Sequence, residues 1–158
     1  MLDSRSLRSA RLGLILALGC GGGGSQLSPV PDPPEGFGFA FATPDCAPWD
    51  GPAVSILLTG SRADSVDGMS RQIRVAVYKE SDSIVGNRFR WPSDPEVASG
   101  TRCQGSESCE PAESGEIDFR PTGSDTVLEG TLLLRFPKSD SVYGGFRAEW
   151  RPKRALCG

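Results

Sequence analysis

The sequence predicts an all-β domain, an antiparallel β-sandwich of immunoglobulin-like size with about seven strands. Apolar and polar residues alternate with a period of two in several short segments, as in strands that bury one face. Gly, Pro, Ser and Asp are concentrated between these segments, which is typical of turns. No long stretch has helical periodicity. A small β-barrel is the alternative architecture.

Each predicted strand has its own apolar face. Within residues 72–78, for example, Ile73, Val75 and Val77 point one way and the intervening residues point the other way. The connections 121–125 and 137–141 have turn composition and hairpin length, which predicts a closing three-stranded meander. The predicted strands are 37–42, 54–59, 72–78, 87–91, 116–120, 128–136 and 146–151.

The N-terminus has the composition of an export signal. Arg5, Arg8 and Arg11 precede an uncharged apolar run of eight residues, 12–19. A transmembrane helix needs about 20 apolar residues, so this run is too short to span a bilayer and fits a secretory signal peptide. No Arg-Arg pair is present, so a twin-arginine signal is not indicated.

The run Leu-Ala-Leu-Gly-Cys at residues 16–20 resembles the lipobox of bacterial lipoproteins. In that family a signal peptidase cuts before the cysteine, and the cysteine thiol carries a diacylglycerol. The resemblance implies removal of residues 1–19 and lipidation of Cys20, and it covers only the first 20 residues. The alternative is an ordinary secretory signal cut near Ala17 or Gly19.

Residues 20–35 are rich first in Gly and then in Pro. Such a segment cannot bury a core, so it predicts a tether between the anchor and a single domain at 36–158. Gly21 in place of Asp resembles enterobacterial lipoproteins that are sorted to the outer membrane. We therefore expect a domain in the bacterial cell envelope, periplasmic or surface-exposed, with the outer membrane favoured over the inner one.

Composition excludes several classes of function. The chain contains no His, which removes Ser-His and Cys-His nucleophile pairs and His-ligated metals. Its net charge is −3, and without residues 1–19 it is −5, which argues against general nucleic-acid binding. We identify no catalytic motif, metal site or cofactor site.

Four cysteines remain once Cys20 carries lipid, and an exported chain is expected to oxidise them. Cys103 and Cys109 lie in one short polar segment and can close a small loop, which leaves Cys46 to pair with Cys157. A Cys₄ zinc site is the alternative, but the gap between Cys103 and Cys109 is wider than such sites use.

The polar segment 94–116 is the main candidate for ligand binding. Its carboxylates raise the possibility of a Ca²⁺ site, although the spacing is not that of a calcium-binding loop, and an exposed loop pinned by Cys103–Cys109 is the alternative. Asp64 and Asp67 raise the same possibility, with a turn as the alternative. The carboxylates of the segment are Asp94, Glu96, Glu107, Glu110, Glu113 and Glu116.

Aromatic and basic residues offer two further surfaces. Trp49, Trp91 and Trp150 are candidates for stacking on a sugar, but core packing is favoured, with Trp91 partly exposed at a strand end. Arg88 and Arg90 form a basic stripe that suits an acidic partner or simply faces solvent.

Taken together, these features predict a lipid-anchored, non-enzymatic envelope module. It would be tied to the membrane through Cys20 and would bind an envelope protein or glycan. The alternative is a small ligand- or Ca²⁺-binding module that uses the segment 94–116.

Overall fold

A computed structural model describes residues 29–62, 71–93, 97–105, 108–152, 155 and 157. Across these residues the chain forms strands and two short 3₁₀ turns, Ser81–Ser83 and Pro137–Ser139, so the all-β prediction is confirmed. The strands are Phe39–Cys46 (β1), Pro52–Thr59 (β2), Arg71–Val77 (β3), Arg88–Trp91 (β4), Ala98–Gln104 (β5), Ser108–Pro111 (β6), Ser114–Arg120 (β7), Val127–Arg135 (β8) and Ser141–Trp150 (β9).

The strands lie in one open sheet, with the order β4-β7-β8-β9-β1-β2-β3-β5-β6. Its two edges, β4 and β6, do not pair with each other, so the alternative of a small closed barrel is wrong. The predicted meander is confirmed, because β7, β8 and β9 are consecutive antiparallel neighbours.

The sheet is mixed, which corrects the prediction of a purely antiparallel one. Ala40 to Ala42 of β1 run parallel to Ala148 to Trp150 of β9. A hairpin forces two strands to be antiparallel. No hairpin joins the first strand to the last, so packing alone sets their relative direction.

The two halves of the sheet fold over one apolar core, as in a β-sandwich. The core takes the inward residues of both halves, among them Ile56 and Val75 from one and Ile117 and Leu132 from the other, all at most 1% exposed. The alternation in the sequence therefore identified the buried face of these strands correctly.

Strands β5 and β6 were not predicted, and the segment 94–116 is not a loop. It contains β5, β6 and the start of β7. The apolar alternation is weak in β5 because small residues occupy its inward positions. A Cβ on Gly100 would lie 3.0 Å from the Trp91 ring and 3.1 Å from Leu134, so large side chains from the opposite half fill that space.

The N-terminal segment packs on the domain before residue 36. The Gly145 N–H donates to the Asp32 carbonyl at 2.9 Å, and Pro34 is buried. A Cβ on Gly144 would lie 2.5 Å from the backbone nitrogen of Pro34. Two adjacent glycines therefore leave room on β9 for this segment, and the chain joins the domain earlier than the predicted boundary. The rest of the predicted tether, 20–28, lies outside the described residues.

The tryptophans occupy three different environments. Trp91 is 6% exposed, so its predicted partial exposure is wrong. Trp150 is half-buried against the core, as the alternation indicated. Trp49 is 53% exposed and packs edge-on against Tyr78, with ring centroids 5.1 Å apart, so it is not a core residue.

Candidate functional site

Both disulfides join the cysteines that the sequence analysis paired. Cys46 bonds Cys157 across 111 positions of the chain and fastens the C-terminal segment to the end of β1. Cys103 and Cys109 are direct cross-strand neighbours in the β5–β6 hairpin. None of these four sulfurs is free to act as a thiol nucleophile or a zinc ligand.

The predicted lipidation site Cys20 and the signal peptide at 1–19 lie outside the described residues, so both remain predictions. The same holds for the carboxylates Asp64, Asp67, Asp94, Glu96 and Glu107. Among the residues that are described, no helix has the length and apolar character needed to cross a membrane.

The described carboxylates of the segment 94–116 mostly face arginines. Glu110 accepts a hydrogen bond from Arg102 at 2.6 Å. Glu116 contacts Arg90 at 2.5 Å and Arg88 at 3.3 Å. In the described part of the chain, no three acidic or cysteine side chains are grouped as metal ligands would be. In Glu110 and Glu116, these ion pairs occupy carboxylate oxygens that would otherwise be open to a Ca²⁺ ion.

The outer face of strands β4, β7, β8 and β9 brings polar side chains into rows across the sheet. In one row Arg90, Glu116, Leu133 and Tyr143 lie directly opposite one another on consecutive strands. Tyr143 is 62% exposed. With strands about 4.8 Å apart, the row is about 14 Å long. It forms a continuous surface of basic, acidic, aliphatic and aromatic groups.

A second ion pair joins β4 to β7 beside this row. Arg88 donates to Asp118 through Nε at 3.0 Å and through a terminal nitrogen at 2.5 Å. The hydrogen bond to Asp118 and the nearby charges of Asp118 and Glu116 raise the pKa of Arg88. The Arg88 and Arg90 side chains are 50% and 60% exposed, so the basic stripe faces solvent, and carboxylates on β7 hold it in place.

One end of the first row opens into a pocket of about 280 Å³. Strands β4, β7 and β8 and the residues after β4 form its walls. Arg90 and Arg135 supply the positive charge, Ser93 and Ser114 supply hydroxyl groups, and Leu133 supplies an apolar wall. Small-molecule sites usually occupy about 300–1,000 Å³, so the pocket suits one small ring or a side group.

The charges around the pocket do not cancel. Arg135 is exposed, and within the described residues it has no ion-pair partner. Glu116 is the acidic residue of the wall, and it is already shared between Arg88 and Arg90. The pocket therefore carries excess positive charge on a domain that is acidic as a whole.

A polar cluster lies on the other half of the outer face. Asp45 on β1 accepts hydrogen bonds from Ser55 on β2 and Arg74 on β3. Partial burial by itself raises the pKa of Asp45, but the hydrogen bonds from Ser55, Arg74 and the Cys46 amide outweigh it and lower that pKa. Since each member is satisfied by another, the cluster holds three strands together rather than presenting a reactive group.

The sequence indicates Arg90 as a candidate, but it does not indicate the neighbours Ser93, Ser114, Arg135 and Tyr143. They come together only through cross-strand register, and their spacing along the chain carries no motif. No protein-family model matches the chain, and neither a curated protein nor a solved structure is significantly similar to it.

Proposed function

We propose that the protein is a lipid-anchored, non-enzymatic module of a bacterial cell envelope that binds an envelope component through its folded domain. The anchor is Cys20, and the domain carries the binding surface. The outer membrane is the favoured location.

The observation that carries this proposal is the cysteine count. The chain has five cysteines, and four of them form the two disulfides. The fifth, Cys20, therefore has no thiol left in the chain to pair with. Disulfides belong to oxidising compartments outside the cytosol, where a modified Cys20 avoids the side reactions of a free thiol. The lipobox-like run that ends at Cys20 indicates that this modification is a lipid.

The role of the domain is supported by how its polar residues are used. Its ion pairs mostly join neighbouring strands, as Arg88 does with Asp118, and this use favours a stable binding surface over a catalytic centre. The row that begins at Arg90 and ends at Tyr143 offers a partner both charge and an exposed aromatic ring.

Intact-mass measurement tests the anchor. The full chain is produced in a bacterial host, and the membrane-fraction product is weighed. We expect the mass of residues 20–158 plus acyl groups, reduced by two protons for each disulfide. The variant Cys20→Ser should lose the acyl mass and leave the membrane fraction.

The double variant Cys103→Ser/Cys109→Ser is the matched control, since it also replaces cysteine by serine and should keep both the acyl mass and the location. An unacylated soluble product of the unaltered chain, starting at another residue, would refute the anchor.

A further inference from the structure

The pocket beside β4 has the chemistry of a carboxylate site. An arginine side chain binds a carboxylate with two parallel hydrogen bonds, and such charge-assisted bonds are about twice as strong as neutral ones. Arg135 is available for this contact because it has no ion-pair partner among the described residues. Arg90 lies on the opposite side of the pocket, beyond Glu116 and Leu133 in the cross-strand register.

The remaining walls favour a hydroxylated ring. Ser93 and Ser114 both donate and accept hydrogen bonds, so together they match the hydroxyl groups of a sugar. Leu133 contributes an apolar wall, and Tyr143 continues the row next to it with an exposed ring. A sugar presents C–H groups on one face of its ring, and these pack against such apolar and aromatic surfaces.

The part of the pocket formed by β7 and β8 does not suit a peptide that binds by strand addition. Extended peptides commonly bind by adding a strand to a free sheet edge. Strand β4 has a free edge beside the pocket, but Glu116 and Leu133 lie on β7 and β8, which are paired on both sides. A peptide lying across these two strands therefore finds no backbone donors or acceptors to pair with. A glycan needs only side-chain hydrogen bonds and stacking, and this face provides both.

We infer that the pocket formed by Arg90, Ser93, Ser114, Leu133 and Arg135 binds an acidic sugar unit of a glycan, with its carboxylate held by Arg135. The inference rests on the proposed role as a binding module and names the partner class. It does not depend on whether Cys20 carries lipid, because the pocket lies wholly within the folded domain.

The test is an NMR titration of the full-length, ¹⁵N-labelled protein, purified from whichever cell fraction contains it. The probe is D-glucuronate, and D-glucose is the neutral sugar of the same ring size. We expect glucuronate to shift the amide signals of Ser114 and Gly115 and to bind at least about tenfold more tightly than glucose, since one charge-assisted contact is worth that much.

Variants on the same face locate the site. Arg135→Gln removes the charge from an exposed position and should weaken glucuronate binding about tenfold. The amide signals of this variant should stay well dispersed, which shows that the fold is kept. Arg147→Gln on β9 removes another exposed arginine, one outside the pocket lining, and should leave binding unchanged.

Three outcomes would overturn the inference. Equal affinity for glucose and glucuronate would show that the carboxylate contributes nothing to binding. Equal binding of succinate, which has carboxylates but no ring, would leave a simple anion site. Tighter binding of a triglutamate peptide would identify an acidic protein as the partner class. Because the titration does not involve the membrane, its failure would leave the lipid anchor to be judged by the mass measurement.

Discussion

Large aromatic side chains in this core depend on glycines that make room for them. The Trp91 ring lies against Gly115 on the neighbouring strand, where an added Cβ would come within 2.5 Å of one ring carbon and 2.8 Å of another. Gly130 leaves similar space, 2.7 Å by the same measure, for the Phe146 ring. The packing of these rings is therefore specified by the absence of a side chain at the partner position.

Gly115→Ala should destabilise the fold. The added methyl group overlaps the buried Trp91 ring, and overpacking of this kind costs about 1–3 kcal/mol. Urea unfolding followed by fluorescence measures the change. Gly123→Ala is the matched control, since nothing lies within 4 Å of its Cβ position, and its midpoint should stay near that of the unaltered chain. Equal midpoints for the two variants would show that the ring moves aside at little cost.

Asp45 shows how a half-buried carboxylate is kept charged. Desolvation alone raises its pKa, but the hydrogen bonds from Ser55, Arg74 and the Cys46 amide lower it overall. A group whose pKa is lower in the folded state stabilises the fold above its unfolded pKa, about 3.9. That stabilisation is lost as the pH falls through the folded pKa.

Asp45→Asn should therefore have a pH-dependent effect. Above about pH 5 the variant should be less stable by about 1.5 kcal/mol, because it loses charge-assisted hydrogen bonds from Ser55 and Arg74. The difference should shrink as the pH falls below about 4, because Asp45 is protonated there first in the unfolded chain and then, at lower pH, in the folded protein. Urea unfolding at pH 3 to 7 measures this difference. A difference that stays constant down to pH 3 would contradict the role of the charge.

At the scale of elements, Arg102 joins the β5–β6 hairpin to the turn between β8 and β9. Its side chain is 16% exposed, pairs with Glu110 and Asp140, and places its guanidinium 4.3 Å from the centre of the Phe136 ring. Hydrogen bonds to Asp140 and Glu110 raise the pKa of Arg102, so it stays charged at every accessible pH. One side chain thus fastens the edge hairpin to the opposite half of the sheet.

Arg102→Met should cost about 2 kcal/mol, because it removes charge-assisted hydrogen bonds and a cation–π contact while keeping an apolar stem. Arg62→Met is the control, since the Arg62–Glu149 pair is exposed on both sides and such pairs contribute at most about 1 kcal/mol. Thermal and urea unfolding of both variants measure the two losses of unfolding free energy. A smaller loss for the Arg102 variant than for the control would exclude this fastening role.

Elements differ in how well their sequence predicts them. Strands such as β3 bury every second residue beneath a solvated face, so period-two alternation is visible in the sequence. Strand β5 buries the small residues Ala98 and Gly100, and side chains from other strands pack over Gly100. The residues of β5 are therefore mostly small or polar, although the strand lies inside the sheet. The local sequence shows whether a side chain is apolar. It does not show whether a side chain from a distant part of the chain packs above a small residue.

At the scale of the whole molecule, the two disulfides act over different lengths of chain. Cys46–Cys157 closes a loop of 111 positions, and Cys103–Cys109 closes one of six. In the chain-entropy account, a cross-link stabilises by restricting the unfolded state, and the longer loop restricts it more. Loops of these lengths correspond to about 4–5 and about 2 kcal/mol, respectively.

Replacing each cysteine pair by serine should therefore lower stability unequally. Cys46→Ser/Cys157→Ser is expected to lose about twice as much unfolding free energy as Cys103→Ser/Cys109→Ser, because of its longer loop. Denaturant unfolding of the two double variants compares them directly, each serving as the other's control. A larger loss from the short hairpin bridge would show that local geometry, rather than chain entropy, dominates.

The sequence by itself determined the all-β class, the inward face of most strands, the closing meander and the cysteine pairing. The first three depend on the alternation of residues along the chain or on short connections. The pairing of Cys46 with Cys157, 111 positions apart, follows because Cys103 and Cys109 close a short loop and leave no other partners. The tertiary structure alone decided the parallel contact of β1 with β9, the position of β5, and the pocket between Arg90 and Arg135. Such features require residues distant in sequence to meet side by side, and register between strands is set by packing of the whole core.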